Sequence, residues 1–335
     1  MRLVLRLTGL ALVVGLGLAG WMTWFALSPL VLAASPVEFS IRQGLSLRGA
    51  AQQIAEAGVR FPPWQFSWLG RLAGKAADIK AGSYEIGTGI TAWDLLEKLT
   101  RGDVTQAEVV FVEGRTFRQL RALLDADANV RHDTSGLSDG EILGRIGATE
   151  ANPEGLFFPD TYLFAKQSSD VDILRRAYRA MQRRLAVEWQ GRDPSVTYET
   201  PYQALIMASI IEKETGQSSD RPLVASVFVN RLRQGMLLQT DPTVIYGLGE
   251  QFDGNLRKHH LTTDTAYNSY TRAGLPPTPI AMPGLASLQA ALHPPASDKL
   301  YFVARGDGSS VFSRNLEEHN RAVAKYQRRR GSEGK

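Results

Sequence analysis

The sequence predicts an α+β fold carried behind a single N-terminal membrane helix. Three observations point there. An uncharged apolar run extends from Leu7 to Ala34, short strand-like alternations such as VEFSI and AGSYEI lie among amphipathic helical stretches, and capped helices lead into a C-terminal hairpin of strands. The chain divides accordingly into a short N-terminus (1–6), a transmembrane helix (7–34), a small α/β module (37–105), a larger mixed α+β domain (106–326) and a basic tail (327–335). At 335 residues the length suits about two domains plus an anchor.

Each element has a local reason. About 20 apolar residues span a bilayer, and the Leu7–Ala34 run exceeds the roughly 7–15-residue apolar core of a cleavable signal. Arg2 and Arg6 before it place the N-terminus in the cytoplasm and the bulk of the chain outside, with Trp21, Trp24 and Phe25 toward the outer interface. LAAS, from Leu32 to Ser35, is the competing feature: a cleavage site that would release the chain.

In the module, VEFSI is a strand and GLSLRGAAQQIAEAGV an amphipathic helix with Leu47, Ala50, Ala51 and Ile54 on one stripe. FSWLGRLAG is a second helix, AGSYEI a second strand, and ITAWDLLEKLTRG a helix capped by Thr91. Trp64 and Trp68 have helical spacing, which reads as core, with a sugar-stacking face as the alternative. AEVVFVEG then gives a strand, TFRQLRALLD a helix, and Ser138 with Glu141 a capping box for a helix through Ile146. EGLFFPDTYLF reads as a stiff loop over buried Phe157 and Phe158, and Ser169 to Trp189 as a long helix with a basic, solvated face.

The stretch from Thr200 to Pro242 organises the larger domain. Thr200, Pro201 and Gln203 open a helix with a Thr-x-x-Gln box, and Gly216 stops it. Glu212 lies one turn after Ala208 and Ser209 and two after Leu205, a carboxylate on an apolar face. Burial there disfavours the charged form, which suits a general acid near neutrality; the alternative is a Glu snorkelling from the end of a core helix. Glu214, about 200° round the same helix, cannot serve the same cleft. Asp220 is expected to cap the next helix, and Asp241 the short helix begun by Pro242. Asn255 to Pro283 has little periodicity and reads as a binding loop, with Tyr267, Asn268 and Tyr270 close together. SLQAALHP is a helix, and LYFVA and VFSRN are strands around RGDGSS, where Asp-Gly marks the turn.

Composition narrows the chemistry. A formal charge of +4 suits anionic surfaces but is too weak and dispersed to indicate nucleic acid. There are no cysteines, so neither disulfides nor thiol chemistry exist. The histidines lack metal-ligand spacing; His259 and His260 are adjacent, so their side chains are expected to diverge. No P-loop, dinucleotide fingerprint or G-x-S-x-G elbow occurs, and no cofactor is expected.

ASIIEKETG followed by VASVFVNRLRQGMLLQTDPTVIYG closely resembles the signature of the endolytic murein transglycosylases of the YceG-like type. EGLFFPDTY, AYNSYTRAGLPPTPI, PGLASLQAALHP and LYFVARGDGSSVFSRNLEEHN extend the likeness, in order, over nearly the whole chain. The family often has Asn where Met282 stands and Gly where Thr278 stands. The resemblance implies a LysM-like module at 37–105 and a catalytic domain at 106–326, with Glu212 as the catalytic acid. It also implies a sugar-binding groove, for which Glu154, Asn230, Gln239, Asp241, Tyr267, Asn268 and Tyr270 are the candidate contacts.

In the implied reaction Glu212 protonates the oxygen linking N-acetylmuramic acid to N-acetylglucosamine. The same group then takes the proton of the muramoyl 6-hydroxyl as it closes on C1, leaving a 1,6-anhydro end. The implied setting is the inner membrane, with the catalytic domain periplasmic and acting on nascent strands beside peptidoglycan synthases and penicillin-binding proteins. Two alternatives stand: a hydrolytic muramidase with a second carboxylate, such as Glu154 or Asp241, activating water, and a non-catalytic wall-binding scaffold.

Overall fold

The computed structural model describes residues 2–42, 44–215 and 217–326. The chain forms a mixed α+β structure that divides into two compact units. The first comprises residues 1–108 with 129–131 and 163–168; the second holds 109–128, 132–162 and the rest of the chain.

In the first unit, α1 (Arg2–Leu27) includes a 20-residue stretch, Thr8–Leu27, long and apolar enough to cross a membrane. The helix stops short of the predicted Ala34 because Pro29 lacks an N–H and disfavours helical geometry at Ser28. The residues beyond it extend instead, and β1 (Val31–Leu32) pairs antiparallel with β3 (Val59–Arg60). Between them β2 (Val37–Ile41) alternates buried and exposed residues, and it pairs antiparallel with β4 (Gly82–Ile86), Phe39 opposite Tyr84.

Three helices complete this unit. In α2 (Leu47–Glu56), Ser46 caps the first turn, and the predicted stripe of Leu47, Ala50, Ala51 and Ile54 is buried. In α3 (Pro63–Leu72), Phe66 and Leu69 face inward, and Gly70 allows close approach, since a Cβ there would meet Leu47 Cδ2 at 2.4 Å. In α4 (Ala92–Arg101), Thr91 and Asp94 form a reciprocal capping box. Leu95, Leu96 and Leu99 are fully buried, each contributing about 1.5–3 kcal/mol through removal from water. Phe25 and Ala26, in the last turn of α1, belong to this same core. The core expected of Trp64 and Trp68 is not found. Both are half-exposed, because the inward face of α3 is already filled by Phe66 and Leu69.

Short strands lie where the chain changes from one unit to the other: β5 (Gln106–Val110), β6 (Val130–Arg131), β7 (Thr161–Ala165) and β8 (Ser168–Ser169). The stretch read as one stiff loop therefore becomes strand from Thr161, Tyr162 included, while Phe157 and Phe158 are buried as expected.

The second unit contains α5 (Phe117–Asp125) and α6 (Asp139–Ile146), each opened by a capping box, and α7 (Asp170–Gln190). Its centre is α8 (Pro201–Glu214), buried on all sides from Ala204 to Ile211, as a helix apolar around its circumference must be. Thr200 caps α8 through Gln203 N at 3.2 Å; the Gln203 amide, however, accepts from Glu199 N rather than Thr200 N. The predicted stop, Gly216, lies outside the described residues, as does the tail at Arg328–Arg330.

After a 3₁₀ turn (Ser218–Asp220) come α9 (Arg221–Arg233), α10 (Asp241–Leu248) and α11 (Lys258–Thr262). Asp220 occupies the predicted N-cap position of α9, but neither it nor Asp241 makes a side-chain capping bond. Asp220 accepts from Ser310 N at 2.6 Å, and Asp241, the first residue of α10 rather than its cap, accepts from the Tyr270 hydroxyl. On α11 the His259 and His260 rings do not diverge but meet edge to face with centroids 4.0 Å apart. α12 (Leu285–Leu292) packs on α7, α8 and α9. The predicted hairpin, β9 (Tyr301–Ala304) with β10 (Ser310–Ser313), is antiparallel, and α13 (Leu316–Tyr326) lies against it.

Candidate active site

Glu212 is in the last turn of α8, and its side chain is only 8% exposed. The apolar surroundings expected of it are only half the picture. Its Oε2 accepts from Gly284 N at 3.0 Å and from the Ser287 hydroxyl at 2.7 Å. Gly284 is the N-cap of α12 and Ser287 lies in its first turn, so the carboxylate sits at the positive end of a helix. On the other side Oε1 is 3.7 Å from the Arg221 guanidinium, at the start of α9. These donors hold a carboxylate firmly and in one orientation. Among the described residues, the buried Arg221 Nε has no hydrogen-bond partner.

A second carboxylate completes the cluster, and sequence reading missed it. Glu113 sits in the turn after β5, next to Gly114, whose positive φ of 74° turns the chain. The turn is stitched to the residues before α12: Gly114 N donates to Met282 O and Met282 N to Arg115 O, both at 2.8 Å. A Cβ on Gly284 would lie 1.8 Å from Glu113 Oε1, so any larger residue there would displace this carboxylate from its place. Burial, and then the charge of Glu212, push the Glu113 carboxyl up, while Arg221 opposes the shift. The one cue in the sequence was a Glu-Gly pair ending a strand, too common to single out.

Gly114 and Lys213, flanking Glu212 in space and in sequence, also line a cleft of ≈ 870 Å³. That volume lies within the roughly 300–1,000 Å³ usual for ligand sites. Glu154, Tyr246, Tyr267, Arg118 and Ile280 form other parts of its wall. Glu154 is buried, accepting from Phe117 N at 2.9 Å and from the Tyr246 hydroxyl at 3.1 Å. Burial raises its carboxyl to about 7 against these hydrogen bonds. The Tyr246 and Tyr267 rings meet edge to face with centroids 4.9 Å apart, and Tyr267 shares a 2.8 Å hydrogen bond with Thr278.

Of the predicted contacts, Glu154 and Tyr267 are thus brought into the cleft wall. Gln239, Asp241 and Tyr270 gather instead in a polar cluster that does not line it. There Tyr270 donates to Asp241, Arg231 reaches Gln239 Oε1 at 3.4 Å, and Gln239 adopts a positive φ of 53°. Glu214 joins this cluster through the Thr240 hydroxyl, on the far side of α8 from Glu212. Asn230 donates to Ser297 O and Lys299 O, and buried Asn268 to three carbonyls of residues 260–263. Both amides therefore fasten main chain rather than face the cleft. Met282 and Thr278, where the family pattern differs, serve backbone pairing and the Tyr267 hydroxyl respectively.

Comparison with known proteins adds to this geometry. The model of the YceG-like family matches residues 39–325. The endolytic murein transglycosylase of Bacillus subtilis (strain 168) is 32% identical over 307 residues, covering 87% of this chain and 84% of that protein. The protein of the same name from Streptococcus pneumoniae (strain ATCC BAA-255 / R6) is 26% identical over 324 residues; the match covers 87% of this chain and 58% of that longer protein. A crystal structure of a YceG-like protein from Listeria monocytogenes aligns with a TM-score of 0.53 at 29% identity, over 86% of this chain and 98% of that one. A match running from β2 into the last helix, through every residue around Glu212, means that this chain belongs to the YceG-like family.

Proposed function

We propose that this protein is a membrane-anchored endolytic peptidoglycan transglycosylase in which Glu212 is the acid and then the base. The observation that carries the reading is the Glu212 carboxylate seated between the start of α12 and Arg221, with Glu113 alongside and the cleft beginning at Gly114. Two nearby carboxylates in a desolvated site tend to retain one proton between them. That proton, delivered through Glu212, goes to the glycosidic oxygen as the bond from the muramoyl C1 breaks. The muramoyl 6-hydroxyl then attacks C1 and gives its proton to Glu212, so a C1–O6 bond replaces the bond lost and no water is consumed. Glu154, Tyr246 and Tyr267 form the wall against which sugar rings lie. Arg221, with Nε unpartnered, offers an N–H donor to an amide carbonyl of the muramoyl unit, such as its acetamide or the lactyl amide.

The anchor is α1, retained rather than cleaved. Support comes from Phe25 and Ala26 in the core and from β1 in the pairing with β3; cleavage at Leu32–Ser35 would remove all three. With Arg2 and Arg6 inside, the catalytic domain is periplasmic and its substrate the nascent glycan beside the synthases that make it. The pairing of β2 with β4 around α2 and α3, with only the two-residue β3 between the helices, supports a LysM-like character for the first unit.

One observation favours a second reading, the hydrolytic muramidase: Glu113 is a carboxylate beside the acid, able to activate water. Mass spectrometry of products from un-crosslinked glycan strands separates the two. Anhydro-ended fragments, one water lighter than hydrolytic ends and absent with Glu212→Gln, are expected. Reducing ends from wild type would establish the muramidase, and no fragments from either protein would leave only a glycan-binding scaffold.

A further inference from the structure

The outward face of α3 carries Trp64, Trp68 and Leu72 at i, i+4 and i+8, which are 51%, 50% and 68% exposed. Its other face is buried in the core of the first unit through Phe66 and Leu69. An aromatic stripe this open within a folded unit calls for a partner of its own.

We propose that this face of α3 lies in the outer interface of the bilayer, with Trp64, Trp68 and Leu72 among lipid headgroups and upper acyl chains. The inference rests on the reading of α1 as a membrane anchor and assigns a second contact beside it. Continuity with α1 identifies the occupant. The Trp64 ring stacks on Trp21 of α1, with centroids 5.6 Å apart and planes 27° from parallel. Trp24, 68% exposed, and Leu27 extend the same open apolar surface along the last turns of α1. From Trp21 to Leu27 the helix rises about 9 Å at 1.5 Å per residue, comparable to the 5–10 Å depth to which interfacial helices sink. Met22, Phe25 and Ala26 pack into the unit, so where α1 meets the membrane α3 is held beside it.

Residue chemistry agrees with that placement. Tryptophan concentrates at membrane interfaces because its ring is apolar and its N–H polar. The exposed Arg71 guanidinium, 5.9 Å from the Trp68 ring centroid, is placed to reach phosphate. A glycan fits less well. One face of the Trp64 ring is already covered by Trp21, and Leu72 has nothing to offer a hydroxyl.

The absence of native cysteine allows a direct test. Full-length protein in phosphatidylethanolamine–phosphatidylglycerol nanodiscs is labelled with bimane at single sites: Trp68→Cys, Leu72→Cys, Leu16→Cys within the span and Gln52→Cys on the exposed side of α2. Quenching by nitroxide lipids is compared with quenching by aqueous iodide, with circular dichroism confirming folding. Labels at 68 and 72 are expected to be quenched several-fold more by shallow nitroxide lipid than by iodide, and the label at 52 in the reverse order. If 16 reads lipid while 68 and 72 behave like 52, the interfacial placement is overturned and the anchor stands. If 16 also reads aqueous, the anchor reading itself fails. Shielding at 68 and 72 only upon adding glycan strands would assign the face to sugar and overturn the lipid placement.

Discussion

Glu212 and Glu154 lie in the same unit and both lose most of their water, by opposite means. Glu212 is held by an N–H at a helix start and a hydroxyl, with a guanidinium 3.7 Å away. Glu154 sits between aromatic residues with two hydrogen bonds that do not offset its burial, so its carboxyl rises to about 7. Burial alone therefore does not set the chemistry of a carboxyl group; its partners do. Glu212 differs in having a second carboxylate, Glu113, against the same Gly284, and the proton affinity of Glu113 depends on the charge of Glu212.

The largest effect expected from breaking this contrast is at Glu212. Glu212→Gln should lower the release of anhydro-ended fragments by about 10³-fold, within the range for loss of a general acid–base. A loss of only a few-fold would move the chemistry elsewhere. Next is Glu113→Gln, expected to cost about 10²-fold in kcat and to move a limb of the pH–rate profile. A lowered rate with an unmoved profile would reduce Glu113 to a structural role.

Glu154 should act on stability rather than rate. Its folded-state carboxyl lies above its unfolded value, so the protonated form is favoured by folding. That stability is fully present below pH 4.5 and is lost as pH rises toward about 7. The loss is on the order of 3 kcal/mol at 1.36 kcal/mol per pH unit. Urea unfolding of wild type and Glu154→Gln at several pH values should show the decline in the first and its absence in the second. The smallest effect is Ser287→Ala, which removes a 2.7 Å bond to Glu212. A hydrogen bond to a charged group is worth about 1.5–3 kcal/mol, so a loss of roughly tenfold or more in kcat, with KM little changed, is expected.

How much the sequence disclosed follows the range of the interactions. Caps at Thr91, Ser138 and Thr200 were legible because partner and cap are three residues apart. So were the buried stripe of α2 and the β9–β10 hairpin. The position of Glu212 on its helix was legible too, but its surroundings were not. Gly284, Ser287 and Glu113 come from segments distant in sequence, and neither periodicity nor spacing brings them together. The same limit explains Asp220 and Asp241, which local rules assign to caps and which Ser310 N and the Tyr270 hydroxyl claim instead. Trp64 and Trp68 show the converse: helical spacing tells that a face is apolar, not what covers it.

Gly284 carries a last consequence. Its N–H anchors one carboxylate and its missing side chain admits the other, so both are gauged from a single peptide unit. A displacement of the first turn of α12 would therefore move the donor for Glu212 and the space for Glu113 together. A glycine usually noted for flexibility serves here as a ruler.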